Sequence, residues 1–295
     1  MKMNKTSLIK GYIYTILSAI IFGCMPLMAK YIYADGVNSI SLVFLRNLIA
    51  LPSLAILALI QEKTLKIKAK PFFQAGIPAL FGCVLTPVLL FSSYQYLATG
   101  TATIFHFVYP SLVVLIGIFF FKKKPVPVTL ISIVMCFAGI LLFYNPQDKL
   151  HPTGVLLSLA SGLAFAVYVI VLPYFQTKEN HGFYFSFYVA LWSAIQMLIM
   201  CLCSNQLTLP GSTKGWAMCI LFALSVTSGA VVLFQKGTYL IGGEKSSILS
   251  TLEPITGVLI GILVFREDFN FYTILGSLLV IAASVLIAIP DFKKD

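Results

Sequence analysis

Apolar residues in this chain come in long, nearly unbroken runs. They do not recur at the period of two that marks a half-buried strand, nor at the spacing of an amphipathic surface helix. A helical run of about 20 mostly apolar residues is long enough to cross a hydrocarbon core. Ten runs meet that length, near 11–31, 39–60, 72–97, 101–121, 127–144, 153–175, 182–203, 215–240, 246–265 and 271–289. They predict ten transmembrane helices. Polar residues gather in short joints such as EKTLKIKAK, KKKP, NPQDKLHP, TKEN, LPGSTK and REDFN, none of which has room for a soluble domain. The first run exceeds a signal-peptide core and no small-residue cleavage site follows it, so it is expected to stay in the protein.

Basic residues in the joints predict orientation. With the N-terminus inside, 14 of the 20 Lys+Arg fall on the inner side and four (Lys30, Lys149, Lys214 and Arg266) on the outer side. The other two, Arg46 and Lys236, lie within spans. The positive-inside rule then places both termini in the cytoplasm.

The chain also repeats itself. Residues 100–122, GTATIFHFVYPSLVVLIGIFFFK, align without gaps on 244–266, EKSSILSTLEPITGVLIGILVFR, at an offset of 144. Pro110 falls on Pro254, Gly117 on Gly261, Phe121 on Phe265 and Lys122 on Arg266. At an offset of 143, Gly11 meets Gly154, Ser18 meets Ser161, Phe22 meets Phe165 and Tyr31 meets Tyr174. Phe91, Tyr96 and Leu97 likewise meet Phe234, Tyr239 and Leu240. The predicted halves are 1–148 and 149–295, with five spans each. Five is odd, so the second half enters the membrane upside-down. Inverted repeats of this kind mark alternating-access transporters, with sites near the midplane between the halves. The predicted architecture is two inverted five-helix repeats around a central cavity.

Composition removes whole classes of function. Hydrophobic residues make up 59% and charged residues 10%, against about 25% charged in soluble domains; the mean hydropathy is +0.95. A soluble enzyme, a nucleic-acid-binding module and a disordered chain are excluded. The net charge of +10 reads as membrane topology, and nucleic acid is not expected as a partner. Cys24, Cys83, Cys136, Cys201, Cys203 and Cys219 all sit in apolar runs without metal-ligand spacing. They read as small core residues, and neither a metal nor another cofactor is expected.

Ten spans in two halves, with LEPITGVLIGILVFRED in the ninth and VFLRNLIA in the second, resemble the EamA-type drug/metabolite transporter superfamily. The similarity covers nearly the whole chain. The resemblance implies a basket of helices around a central cavity, with the fifth and tenth spans peripheral. It implies transport, often export, of amino acids, other small metabolites or drugs, in the plasma membrane of a bacterial cell. The family often has an acid at the end of the fourth span, as Glu267 ends the ninth; here that position is Lys123.

Several polar residues lie deep enough to carry chemistry. Glu253 precedes Pro254 about eight residues into the ninth span, where a carboxylate costs about 2.5–3.5 kcal/mol and needs a cavity or a partner. Proline disfavours the hydrogen bond of the carbonyl four residues back, that of Ser250, and a freed carbonyl can hold a ligand. Ser246, Ser250 and Glu253 share one helix face at i, i+4 and i+7. The repeat puts Ala102, His106 and Tyr109 on the matching face of the fourth span, so both faces should border one cavity. A His106/Glu253 proton relay is conceivable, since histidine titrates near neutral pH. A structural ion pair or a protonated acid at a kink is the competing reading for Glu253, and a hydrogen-bonded packing role for His106.

Arg46, about 12 Å into the second span at 1.5 Å per residue, can bind a substrate carboxylate bidentately or hold carbonyls and fix the bundle. Lys236 can snorkel to the inner interface. Tyr94, Gln95, Tyr168, Trp192 and Gln196 are mixed polar and aromatic positions expected near the cavity. Pro26, Pro87, Pro110, Pro173 and Pro254 are candidate kinks, and Gly257 with Gly261 forms a close-packing GxxxG.

The leading reading is a secondary active transporter of small metabolites such as amino acids or amines. No GxxxxGK[ST] loop supports direct ATP drive. An intramembrane enzyme would want a metal motif or paired catalytic acids, which the sequence does not offer. A channel-like or uniport carrier is the closer alternative. Expected partners are the small-molecule substrate and membrane lipid, and a homodimer is compatible with the sequence.

Overall fold

A computed structural model describes residues 5–63, 65, 66, 68–97, 99–122, 124, 126–142, 150–176, 181–265 and 271–292. Every regular element among the described residues is helical. The chain runs through α1 (Lys5–Gly23), α2 (Met25–Ala34) and α3 (Ser39–Glu62). The third hydrophobic run is composite, with α4 (Ala69–Gln74), the single turn α5 (Gly76–Pro78), a π-helical segment π1 (Ala79–Leu85) and α6 (Thr86–Ser93). Then follow α7 (Thr99–His106), α8 (Tyr109–Phe119), α9 (Pro127–Leu141), α10 (Pro152–Phe175) and α11 (Gly182–Ser204). The eighth run holds α12 (Thr213–Phe222), π2 (Ala223–Val231) and α13 (Val232–Ile241), and α14 (Gly243–Leu249), α15 (Leu252–Phe265) and α16 (Phe271–Phe292) complete the chain.

Seven helical stretches are long and apolar enough to cross a membrane, at 5–34, 39–62, 69–93, 101–119, 152–175, 182–204 and 213–241. The shorter apolar helices Pro127–Leu141 and Ile274–Ile287 fall on the expected fifth and tenth spans. The expected joints at 143–149 and 266–270, with Asp148, Lys149, Arg266 and Glu267, lie outside the described residues, as do Lys123 and Lys178.

The surface is inverted relative to a water-soluble fold. Leu156, Leu202 and Leu278 point outward, and Leu263 is 78% exposed. Small polar side chains such as Thr15, Ser18, Ser158 and Ser161 are buried. Apolar patches of this extent mark contact with lipid, and small residues inside let helices approach closely. The chain is an integral membrane protein.

Packing is pairwise. α3 lies along α11 and α9 along α16. α1 packs on α13 and α15, while α10 packs on α6, α7 and α8. Glycine makes these approaches: a Cβ on Gly11 would sit 2.9 Å from Leu240 Cβ, and one on Gly154 would sit 2.6 Å from Leu97 Cγ. A Cβ on Gly139 would sit 2.7 Å from the Gly276 carbonyl oxygen.

Proline decides where spans break. The breaks at Cys24, at Phe107–Val108 and at Ser250–Thr251 each precede a helix with Pro26, Pro110 or Pro254 in its first turn. A first-turn N–H has no intrahelical acceptor, so proline loses nothing there. Pro87 likewise opens α6 after π1. Pro173, also expected to kink, lies within the unbroken α10, and Pro52 lies inside α3. Ala79 and Ala223 open the two π segments, 144 residues apart. Cys203 differs from the expected core placement: its position on α11 turns it outward, while Cys83, Cys136, Cys201 and Cys219 are buried.

Candidate functional site

The two broken helices meet inside the bundle. The Tyr109 hydroxyl, at the start of α8, donates to the Ser247 carbonyl of α14 at 3.3 Å. Cys136 Sγ of α9 lies 3.3 Å from Thr251 Oγ1 in the second break. Beside this junction is a chamber of about 50 Å³, lined by Arg46, His106, Tyr109, Tyr168, Ser250 and Glu253 among polar residues. Phe22, Met25, Phe165 and Phe234 supply much of its apolar wall. Typical small-molecule sites span ~300–1,000 Å³. This chamber is therefore the size of a few waters, and a substrate would require it to widen.

Each polar group is held from a different element. His106, the last residue of α7, has Nδ1 at 2.8 Å from Ser161 Oγ of α10. Tyr168 of α10 accepts from Gln235 Nε2 of α13 at 3.1 Å, and Gln235 Oε1 accepts from Ser186 of α11. The Tyr168 ring covers Gly82 so closely that a Cβ there would lie 2.4 Å from it. Arg46 Nη2 donates to the Cys83 carbonyl of π1 at 3.4 Å, while its buried Nε has no protein partner. Register shifts such as π1 alter the local carbonyl pattern and recur at functional sites. No cation pairs with the Glu253 carboxylate among the described residues.

Aromatic rings frame the chamber. Phe165 is their hub, edge-on to Tyr109 at 4.7 Å and 5.7 Å from the His106 ring. It also lies 5.5 Å from Tyr168 and 5.4 Å from Phe234. Whereas His106, Tyr109 and Tyr168 were among the expected site residues, Phe22, Phe165 and Phe234 were not. Their signal was present, since Phe22 with Phe165 and Phe91 with Phe234 are repeat-matched pairs.

Several expected positions fall elsewhere. Ser246 is buried outside the lining, one helical turn before Ser250 in the same unbroken segment, whereas Ser250 and Glu253 line the chamber from the two sides of the break. Its carbonyl accepts Ser250 Oγ at 2.9 Å. The Ser250 carbonyl is not freed by Pro254: it accepts the Glu253 N–H at 2.9 Å. Tyr94 and Gln95 follow the end of α6 and lie outside the chamber lining. Tyr94 packs on Phe91 at 5.8 Å and Gln95 is exposed. Trp192 and Gln196 fasten α11 to the start of the third run, donating to the Phe72 carbonyl at 2.7 Å and the Gly76 carbonyl at 3.1 Å. These are hydrogen-bonded packing positions. Among the described residues no cluster of metal-binding side chains occurs.

Known proteins similar to this chain are membrane transporters. The chain is 25% identical to the uncharacterized transporter YxxF of Bacillus subtilis over 97% of its own length and 90% of that protein. It is 24% identical to the uncharacterized inner membrane transporter YicL of Salmonella typhimurium, over 97% of each. A solved crystal structure superposes with a TM-score of 0.77 at 15% identity, covering 99% of each chain; this is likeness of fold. The sequence profile of the EamA-like transporter family matches residues 9–145 and again 152–289. Across nearly its whole length, the chain belongs to the EamA-like transporter family and is a membrane transporter.

Proposed function

We propose that the protein is a secondary active exporter of small metabolites such as amino acids or amines, working by alternating access around the central chamber. The observation that carries this reading is the pairing of two broken helices. His106 and Tyr109 flank one break, Ser250 and Glu253 flank the other, and all four border the same space. Broken helices at a repeat interface are where transporters hold substrate. An inverted pair of repeats, 1–148 and 149–295, is supported by partner exchange: α1 on α13 is matched by α10 on α6, and the Gly11–Leu240 contact by Gly154–Leu97. The orientation in a bacterial cell membrane with both termini cytoplasmic rests on the basic-residue bias.

The lining suits a zwitterion or an amine. An unpaired carboxylate can take an ammonium group, the aromatic faces of Tyr109 and Phe165 favour a cation, and Arg46 can take a carboxylate. Glu253 also serves as the proton carrier, protonated on one side and released when the amine binds. Counterflow in proteoliposomes loaded with single amino acids or amines tests the substrate class. Saturable exchange of one class supports a carrier, whereas linear, non-exchanging flux would support a channel and overturn alternating access. With the exchanged substrate in hand, Glu253→Gln should flatten the pH dependence of uptake while the protein remains folded. An unchanged profile would remove Glu253 from the proton path.

A further inference from the structure

A second and larger cavity lies away from the central chamber, at the end of the bundle that carries the N-terminus. Its volume is about 360 Å³, and its lining includes Ser7, Lys10, Tyr14, His181, Lys236 and Tyr239. It is walled by α1, the end of α3, the start of α11 and α13. We propose that this groove binds a phosphate-bearing anion.

Two cations face it and no acid lines it. Lys236 does not reach out past the helix end; its Nζ sits 3.7 Å above the centre of the Phe183 ring. No carboxylate pairs with it among the described residues. A half-buried ammonium held against an aromatic face still has N–H donors to satisfy. His181 stacks on Tyr239 at 5.2 Å, and its buried Nδ1 has no protein partner. This strand of chain is fixed, not loose. Gln61 accepts from the Phe183 N–H at 3.0 Å and donates to the His181 carbonyl at 3.3 Å. Gln61 also bonds Glu62 at 2.9 Å, but Glu62 stands outside the lining.

The donors come from several sides, which a tetrahedral phosphate with its several oxygens can use. One wall is apolar, formed by Leu57, Ile60 and Leu240, and Ile60 is 72% exposed toward lipid. Basic pockets between transmembrane helices take anionic headgroups. The phosphate can therefore arrive on a phospholipid headgroup or as a free anion.

The test uses the full-length protein, purified in neutral detergent and probed by native mass spectrometry and thermal shift. The probes are phosphatidylglycerol, phosphatidylcholine and inorganic phosphate. Retention of phosphatidylglycerol over phosphatidylcholine, weakened at least about tenfold in Lys10→Gln/Lys236→Gln and kept in Lys236→Arg, assigns a lipid headgroup. Stabilisation by millimolar inorganic phosphate that the double variant loses, without preference between the lipids, assigns a free anion. Equal retention of both lipids with no response to phosphate overturns the proposal, as does a double variant that binds like the unmodified protein. If the double variant fails to fold, Lys10→Gln on its exposed position takes its place. A loss of about threefold then supports the site and an unchanged affinity overturns it. Ser250→Leu, which alters the central chamber, should leave this binding intact.

Discussion

Filling the central chamber is the sharpest test of where substrate binds. Ser250 borders a space of about 50 Å³, roughly four water-sized volumes. Ser250→Leu replaces a hydroxyl with a branched isopropyl group, which takes about two of those volumes and blocks the widening a substrate needs. The loss of the Ser250 hydroxyl removes one of the two hydrogen bonds to the Ser246 carbonyl, which keeps the Ser250 N–H at 3.0 Å, and overpacking adds its own strain of about 1–3 kcal/mol. A folded variant with a modestly lower thermal midpoint is therefore expected. Substrate affinity should fall at least tenfold, about 1.4 kcal/mol, measured by scintillation proximity on purified protein. Ala282→Leu is the control, since it adds apolar bulk at an exposed position on α16. If Ser250→Leu binds substrate like the unmodified protein, the chamber is not the site. If Ala282→Leu loses as much affinity, bulk alone is responsible and the local argument fails.

Gly82→Ala should lower the thermal midpoint and substrate affinity together, because its Cβ would meet the Tyr168 ring at 2.4 Å; overpacking of this kind costs about 1–3 kcal/mol, and an unchanged melting curve would refute the contact. Lys214→Cys in a Cys203→Ser background should react with an impermeant maleimide from outside intact cells, and labelling that needs permeabilised cells would reverse the proposed orientation. Asp35, in the turn after α2, accepts hydrogen bonds from the Ser212 side chain and backbone, which hold its carboxyl below the ordinary carboxylate value. A lowered folded-state value means this clasp is present above the unfolded value and is lost as pH falls through the folded one. Protection of the Ser212 amide against hydrogen exchange, relative to its intrinsic rate at each pH, should therefore fall at strongly acidic pH, and a Cβ at Gly215, which would run into Asp35 Oδ2, should open the clasp at any pH. Protection that is independent of pH and unaffected by Gly215→Ala would show that the clasp does not hold the turn.

What the one-dimensional pattern settled was membrane class, the positions of the apolar runs and the polar residues buried in them. Hydropathy and charge act locally along a chain in a bilayer, so length and composition suffice to find a span. His106 and Glu253 were legible for the same reason: polar groups at that depth are costly and need a cavity or a partner. Facing direction was not legible, because lipid is as apolar as the helix interfaces, and a Leu on either side reads the same. Only packing showed Phe165 at the hub of the chamber's aromatic wall, Trp192 and Gln196 fastening α11, and Tyr94 and Gln95 outside the lining. The break at Ser250–Thr251 had a proline signal, yet its consequence was tertiary. Ser250 and Glu253 line the chamber from the two sides of the break, while Ser246, one turn earlier in the unbroken segment, lies outside the lining, a depth that the shared helical face did not reveal. The narrowness of the chamber is likewise a property of the assembled bundle, since it depends on rings from α8, α10 and α13 converging from distant parts of the chain.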